Sequence, residues 1–409
     1  MNYEDQAEKK YIAMRKRRAF FESLCFYICR IFPVRDSKIV LWTGEGNGGY
    51  CDSPKYIAEE LLKREKEGGR HYDFLWLTNH PEKEFPKNIK TAPYSLWSRA
   101  YHLTTAKYWV SNTRSVYGTQ KRKGTKYVMT WHAIAGIKPV GRQRGDKFPK
   151  MAEIVSEADS TLIDYIPIGS EWGKENQQDG LLYYTPFLET GIPRCDILLS
   201  DKKHVRERVR TRFGLEEDAQ IVMYAPTFRG GSQKGTRSVA GGICAIDVKR
   251  VIEAYEQRFG GKWYLFLRLH PQVAEQMTQM QVSEKHPQVI DVSQVADMSE
   301  LLAAIDSCIT DYSSVIYEAA LMKKPSFFYI DDYDEYVEDR GELMVDVRNM
   351  AFPFAKNMDD FISNIIHFDA EEYKEKCELL LREFGFFETG HATEKLVDTV
   401  FGKENSKEG

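Results

Sequence analysis

The sequence predicts an α/β protein of two doubly wound halves that face one another across a cleft. Three observations carry this. Short apolar runs alternate with stretches of helical periodicity, the pattern of parallel strands joined by helical crossovers. The series starts twice, at Ser37 and again at Ile221. At 409 residues the chain also exceeds what one hydrophobic core usually serves.

Composition bounds the function classes. With 42% hydrophobic and 13% aromatic residues, two packed domains are well supplied. A net charge of −4 argues against bulk nucleic-acid binding. Seven cysteines, an odd number without a CxxC pair, fit reduced thiols. No run reaches the ~18 apolar residues of a membrane span.

Residues 1–36 stand apart. Lys9, Lys10, Arg15, Lys16, Arg17 and Arg18 precede the aromatic-rich segment from Ala19 to Phe32, which Glu22 and Arg30 interrupt. It is too short and too charged to span a bilayer, and it lacks a small-residue cleavage site before Pro33. A basic flank beside an aromatic amphipathic helix suits the membrane interface. Docking on the protein's own body is the alternative.

The first half, residues 37–200, opens with the strand Ser37 to Trp42 and a Gly-rich turn from Gly44 to Gly49. A helix from Pro54 to Glu67 follows, opened by Asp52-Ser53 with proline in its first turn. Phe74–Thr78, Tyr108–Asn112, Tyr127–Trp131 and Tyr165–Gly169 read as further strands. The second half, residues 201–402, has a charged helix from His204 to Phe213. Its strands are Ile221–Ala225, Tyr264–Leu269, Val289–Val292, Cys308–Thr310 and Ser326–Ile330, with a helix from Asp247 to Phe259. A glycine-rich loop, Gly230 to Gly242, breaks the pattern, and a loop that long is more often functional than idle. Residues from Met358 to Phe401 read as helical, and 403–409 as a frayed tail. Two Rossmann-like halves are the economical architecture.

Candidate chemistry lies where strands end. His132 follows the strand Tyr127–Trp131, and His270 takes the equivalent place after Tyr264–Leu269. Arg268 shares a strand face with His270, because side chains alternate. Pro226, Thr227 and Arg229 close another strand, Thr227 with a hydroxyl and Arg229 with a fork of donors suited to phosphate. Arg194, in Gly191-Ile192-Pro193-Arg194, sits at the domain junction. In the turn Asp311-Tyr312-Ser313-Ser314 the two serines either cap the following helix or face a phosphate. Glu318 lies one turn on, on the same helix face as Ser314, where a carboxylate suits ribose or polyol hydroxyls. Asp332-Tyr333-Asp334 imitates a metal-binding DxD, but crowding by Asp331, Glu335, Glu338 and Asp339 reads as a solvated acidic loop. No His/Cys/Asp cluster has metal spacing, and neither GxSxG nor a P-loop occurs.

Together these pieces resemble the CDP-glycerol glycerophosphotransferase family, the bacterial enzymes that prime and polymerise teichoic acids. The resemblance rests on Gly48–Tyr56, Trp131–Lys138 (WHAIAGIK), Gly191–Asp196 (GIPRCD), Tyr224–Arg229 (YAPTFR), Arg268–Pro271 (RLHP), Thr310–Glu318 (TDYSSVIYE) and Arg340–Leu343. It implies the two-domain GT-B fold and a peripheral position on the inner face of the cell membrane. It implies His132 and His270 as essential histidines, and Gly136, Arg194, Pro226, Thr227, Arg229, Arg268, Ser313, Ser314 and Glu318 around the nucleotide donor. The donor would be CDP-glycerol or another CDP-polyol, the acceptor a lipid-linked saccharide or a polymer, and no metal or further cofactor is expected. The family's frequent His-Gly-Thr-Pro is here His132-Ala133-Ile134-Ala135. Its Pro-Arg-Asn-Asp is Pro193-Arg194-Cys195-Asp196, and its aspartate is here Glu318. The implied reaction is attack of an acceptor hydroxyl on the β-phosphorus with departure of CMP. His132 is expected as base and His270, Arg268 and Arg229 on the leaving group, an assignment in which the two histidines can be exchanged. The rivals are a GT-B glycosyltransferase or sugar-nucleotide epimerase, and a non-catalytic membrane scaffold.

Overall fold

A computed structural model describes residues 3–227, 246–269 and 286–402. His270, Arg229, Pro271, the Gly230–Gly242 loop and the tail at 403–409 lie outside the described residues.

The first half contains α1 (Tyr3–Cys29), β1 (Arg35–Trp42), α2 (Asp52–Lys66), β2 (Asp73–Thr78), β3 (Lys90–Pro93), α3 (Leu96–Thr104), β4 (Ala106–Ser111) and β5 (Lys126–Met129). Its five strands pair in parallel in the order β3-β2-β1-β4-β5. The last five residues of β1 are all buried, as a strand covered on both faces requires. Then come α4 (Lys150–Ser160), β6 (Ile166–Pro167), α5 (Glu171–Leu181), β7 (Phe187–Leu188) and the short α6 (Asp196–Leu199). The expected strand Tyr165–Gly169 shrinks to β6, which pairs with β7, while Tyr165 just before it bridges in parallel to Val128 of β5.

The second half holds α7 (Lys203–Phe213), β8 (Gln220–Ala225), α8 (Val248–Phe259), β9 (Trp263–Leu267), β10 (Val289–Asp291), α9 (Met298–Ala304), β11 (Ser307–Thr310), α10 (Val315–Leu321), β12 (Ser326–Tyr329), α11 (Tyr333–Arg340) and β13 (Phe354–Ala355). Among the described residues its strands run parallel in the order β10-β9-β8-β11-β12-β13. The expected boundaries of α8 hold because Asp247 caps it, accepting from the Arg250 amide. In each sheet the strand order reverses beside the first strand, between β1 and β4 and between β8 and β11. Both reversals open a crevice at the carboxyl ends of the strands.

The C-terminal helical region resolves into α12 (Met358–Ile366), α13 (Ala370–Glu383) and α14 (Ala392–Phe401). The last of these does not stay with the second half. Leu396, Val397 and Val400 join the core of Ile39, Leu41, Ile57 and Trp76. The Phe401 ring lies 4.6 Å from Tyr108, and Arg64 binds Asp398 at 2.6 Å. The boundary expected near residue 200 therefore divides the sheets but not the packing, since the chain crosses back at its end.

Helix α1 begins far earlier than the apolar segment suggested, and its two faces differ. Glu22, Cys25, Phe26 and Cys29 are buried at i, i+3, i+4 spacing. Glu22 meets Arg99 of α3 at 2.5 Å inside that contact. Gly118 allows the close approach, because a Cβ there would stand 2.4 Å from the Ala19 carbonyl. On the other face Phe20 is 65% exposed, and Phe21, Leu24, Tyr27 and Ile28 are exposed as well, with Ile31 and Phe32 beyond the helix. Docking on the body and an exposed apolar face thus coexist in one helix.

Candidate active site

The site starts where β5 stops. The expected strand ends at Met129 rather than Trp131. Thr130 still donates its amide to the Ser111 carbonyl at 2.7 Å, but Trp131 turns to φ 54°. A left-handed conformation costs a bulky residue about 1–2 kcal/mol, so it persists where the surroundings require it. The turn carries His132 over the end of β4, where its Nδ1 lies 3.1 Å from the Asn112 carbonyl. A carbonyl only accepts, so Nδ1 carries the hydrogen and Nε2 keeps its lone pair.

Asn112 ties more than the histidine. Its side-chain oxygen accepts from the Gly44 amide at 3.0 Å, and its Nδ2 donates to Asp52 at 2.7 Å. Asp52, also left-handed at φ 59°, opens α2 beside the Gly-rich turn. Its carboxylate meets Arg194 Nη1 at 3.2 Å, while Arg194 Nη2 binds Glu318 of α10. Burial draws the Arg194 pKa down, but the carboxylates of Glu318 and Asp52 more than reverse it. Burial also lifts the Glu318 carboxyl against the pull of Arg194. An arginine does not give up its proton in proteins, so Arg194 keeps a fixed positive charge between the two carboxyl groups.

These residues line a cavity of about 230 Å³, with Asp52, His132 and Arg194 on one side and Asp297, Ser313, Ser314 and Glu318 on the other. His132 opens to this cleft, yet the walls remove enough solvent to push its pKa below the usual value. The backbone of Asn112 and the charge of Asp52 oppose that shift, and Arg194 and Arg114 add to it. A second cavity, of about 640 Å³, shares Ala296 and Asp297 with the first and is lined by Tyr50, Lys55, Lys83, Phe85 and Arg212.

The serines of the turn line the cavity. Ser314 precedes α10 without a side-chain capping bond, and Ser313 Oγ approaches the Val315 amide only at 3.4 Å. Capping therefore takes little of their hydrogen-bonding capacity. Three expected donor-site residues are placed differently. Glu318 spends Oε1 on Arg194, so its first task is to hold that arginine rather than a hydroxyl. Arg268 directs Nη1 at the carbonyls of Val292, Ser293 and Val295, 2.6–2.8 Å away, and clamps the loop before α9. Gly136 does not line the cavity, but its carbonyl faces Tyr317 Oη at 3.5 Å. Thr227 donates its amide to both Asp311 oxygens at 2.8 and 2.9 Å, which fixes the Pro226-Thr227 turn against β11. The stretch expected as an acidic loop is mostly the helix α11: Tyr312 donates to Asp332 just before it, Lys356 pairs with Asp334 in its first turn, and neither acid lines the cavity.

Sequence reasoning missed Asp297. It caps α9 through the Ser299 amide, and its Oδ2 crosses the cleft to Lys55 Nζ at 2.6 Å and Tyr56 Oη at 2.9 Å. Its only local signal is that of a helix cap. Asn112 and Asp52 were read merely as a strand end and a helix start.

Two parallel-sheet domains with a polar cavity between their strand ends make up the two-domain GT-B architecture. The chain belongs to the CDP-Glycerol:Poly(glycerophosphate) glycerophosphotransferase family, whose model matches residues 24–402. It is 27% identical over 382 residues to the teichoic acid poly(glycerol phosphate) polymerase of Staphylococcus epidermidis, covering 89% of this chain and 50% of that protein. It is 29% identical over 375 residues to the teichoic acid glycerol-phosphate transferase of Staphylococcus aureus, covering 86% and 90%. Solved structures of the wall teichoic acid polymerase TagF share the fold, one at a TM-score of 0.78 with 23% identity over 98% of both chains. The chain thus spans half of the first relative and most of the second.

Proposed function

We propose that this chain transfers a polyol phosphate from a CDP-polyol, CDP-glycerol first, to an acceptor hydroxyl in the synthesis of teichoic acid or a related surface polymer. The acceptor oxygen forms a bond to the β-phosphorus, the bond from that phosphorus to the CMP oxygen breaks, and the acceptor proton passes to His132 Nε2. Family membership sets the reaction class. The observation that carries the mechanism is His132, with its proton fixed on Nδ1 and its lone pair open to a cavity walled by Ser313 and Ser314. Those serines and the amides behind them face the donor phosphates, and Arg194 adds a fixed positive charge. No cofactor beyond the donor enters this reading.

The test is nucleotide release from purified protein given a lipid-linked saccharide acceptor. CMP from CDP-glycerol or CDP-ribitol, with no UDP from UDP-sugars, is the expected result. UDP release alone would replace this reading with glycosyl transfer.

We also propose that the chain works on the inner membrane face, bound through α1. Among the described residues no helix is long and apolar enough to cross a membrane. The support is the exposed aromatic face of α1 beside Lys16, Arg17 and Arg18. Replacing Phe20, Phe21, Leu24 and Ile28 together by serine leaves the buried face intact. In vesicle flotation with anionic lipid the variant is expected at the bottom of the gradient and the parent at the top. A variant that still floats would place the anchor elsewhere.

A further inference from the structure

The left-handed residue before the histidine has no role in the reaction as written so far. Its ring is nonetheless close to the reacting group. The Trp131 and His132 rings lie 4.2 Å apart between centroids with their planes 33° from parallel. The indole is itself held: Tyr183 meets it edge-on at 6.3 Å. The Arg114 guanidinium stands 6.0 Å from the Trp131 ring and 5.8 Å from that of Tyr183. The following carbonyl of the β4 edge receives the imidazole, so the turn at Trp131 and the orientation of His132 are one geometric event.

We propose that Trp131 is a positioning residue for His132, its indole face setting the imidazole plane and stabilising the charge gained with the acceptor proton. This rests on His132 being the base. A neutral imidazole gains little from an aromatic face, whereas an imidazolium is attracted to the ring's negative face. The contact therefore strengthens as the proton arrives, which is what a contribution to rate requires. The other charged groups facing His132 are Asp52 from α2, which favours the imidazolium, and Arg194 and Arg114, which oppose it. Without the indole the two arginines are less well offset, so the histidine holds its proton less tightly.

Three variants of the full chain test this: Trp131→Phe, Trp131→Leu and Trp131→Gly. Phenylalanine keeps an aromatic face, and its kcat is expected within about fivefold of the parent. Leucine loses the face and is expected to lower kcat about 10- to 100-fold, with the donor KM within about twofold. Its acid limb of kcat/KM should move to lower pH by about half a unit. Glycine accepts the left-handed backbone freely, so this variant keeps the turn while removing the ring, and it should show the same kinetic loss. If the leucine and glycine variants keep both the parent kcat and the parent acid limb, the indole is packing only and the proposal falls. Equal losses in the phenylalanine and glycine variants would also overturn it, since an aromatic face would then confer nothing. If instead His132→Ala is fully active, the reading of the base fails first, an outcome distinguishable from either of these.

Discussion

Replacing His132 by glutamine is expected to lower kcat by about 10²–10⁴-fold while the donor KM changes little. Glutamine is close to the ring in reach and can still donate to the Asn112 carbonyl, but it offers no basic lone pair. The pH dependence follows from the same geometry. Burial holds the imidazole below its ordinary pKa, and the neutral form is the active one. Transfer should therefore rise with pH through that lowered value, with the midpoint of the rise below the usual histidine pKa of ~6.5. Stability carries the matching sign. Between the lowered folded value and ~6.5 the unfolded chain binds the extra proton, so stability rises with pH across that window. The glutamine variant should lack this component. Initial rates from pH 5 to 9, with denaturant melts at the same pH values, check both. A variant with parental kcat would remove His132 from the chemistry.

The second large effect is expected at Arg194. The residue is 7% exposed, and its guanidinium lies between Glu318 and Asp52. Arg194→Met leaves two carboxylates facing each other in a closed space. Losing one partner of a buried pair costs on the order of 3–5 kcal/mol. The variant should melt well below the parent and show no transfer. Adding Glu318→Gln removes one of the stranded charges, so the double variant should regain a large part of the lost stability while transfer stays absent. Chemical denaturation of the parent, both single variants and the double variant closes the cycle. Additive losses would mean that Arg194 and Glu318 do not meet as described.

Much of the frame was legible in advance because its signals are local. Buried parallel strands need continuous apolar runs, and the runs expected at Ser37–Trp42, Ile221–Ala225 and Tyr264–Leu269 all fall on such strands, the last ending two residues earlier, at Leu267. Strands β3, β7 and β13 and helices α3, α4, α6, α9 and α11 escaped notice. Most of them are short and lack an apolar run of their own. His132, Arg194, Ser313, Ser314 and Glu318 were legible as a group because crevices form at strand ends, and the structure brings them to one cavity. The clamp that Arg268 makes on three carbonyls was not legible, because an arginine near a cleft has the same sequence appearance whether it holds a phosphate or carbonyls.

By itself the sequence determined two doubly wound halves, their order, and a cleft lined by strand-end residues, since apolar periodicity and turn residues act over a few positions. Only the tertiary structure decided which partner each polar side chain takes. Arg194 meets Glu318 across 124 residues and Lys55 meets Asp297 across 242. No local pattern encodes such separations. The left-handed turn at Trp131 belongs with them. Nothing in Thr130-Trp131-His132 disfavours a continued strand, and the turn exists because the rings and the Asn112 carbonyl around it repay its strain.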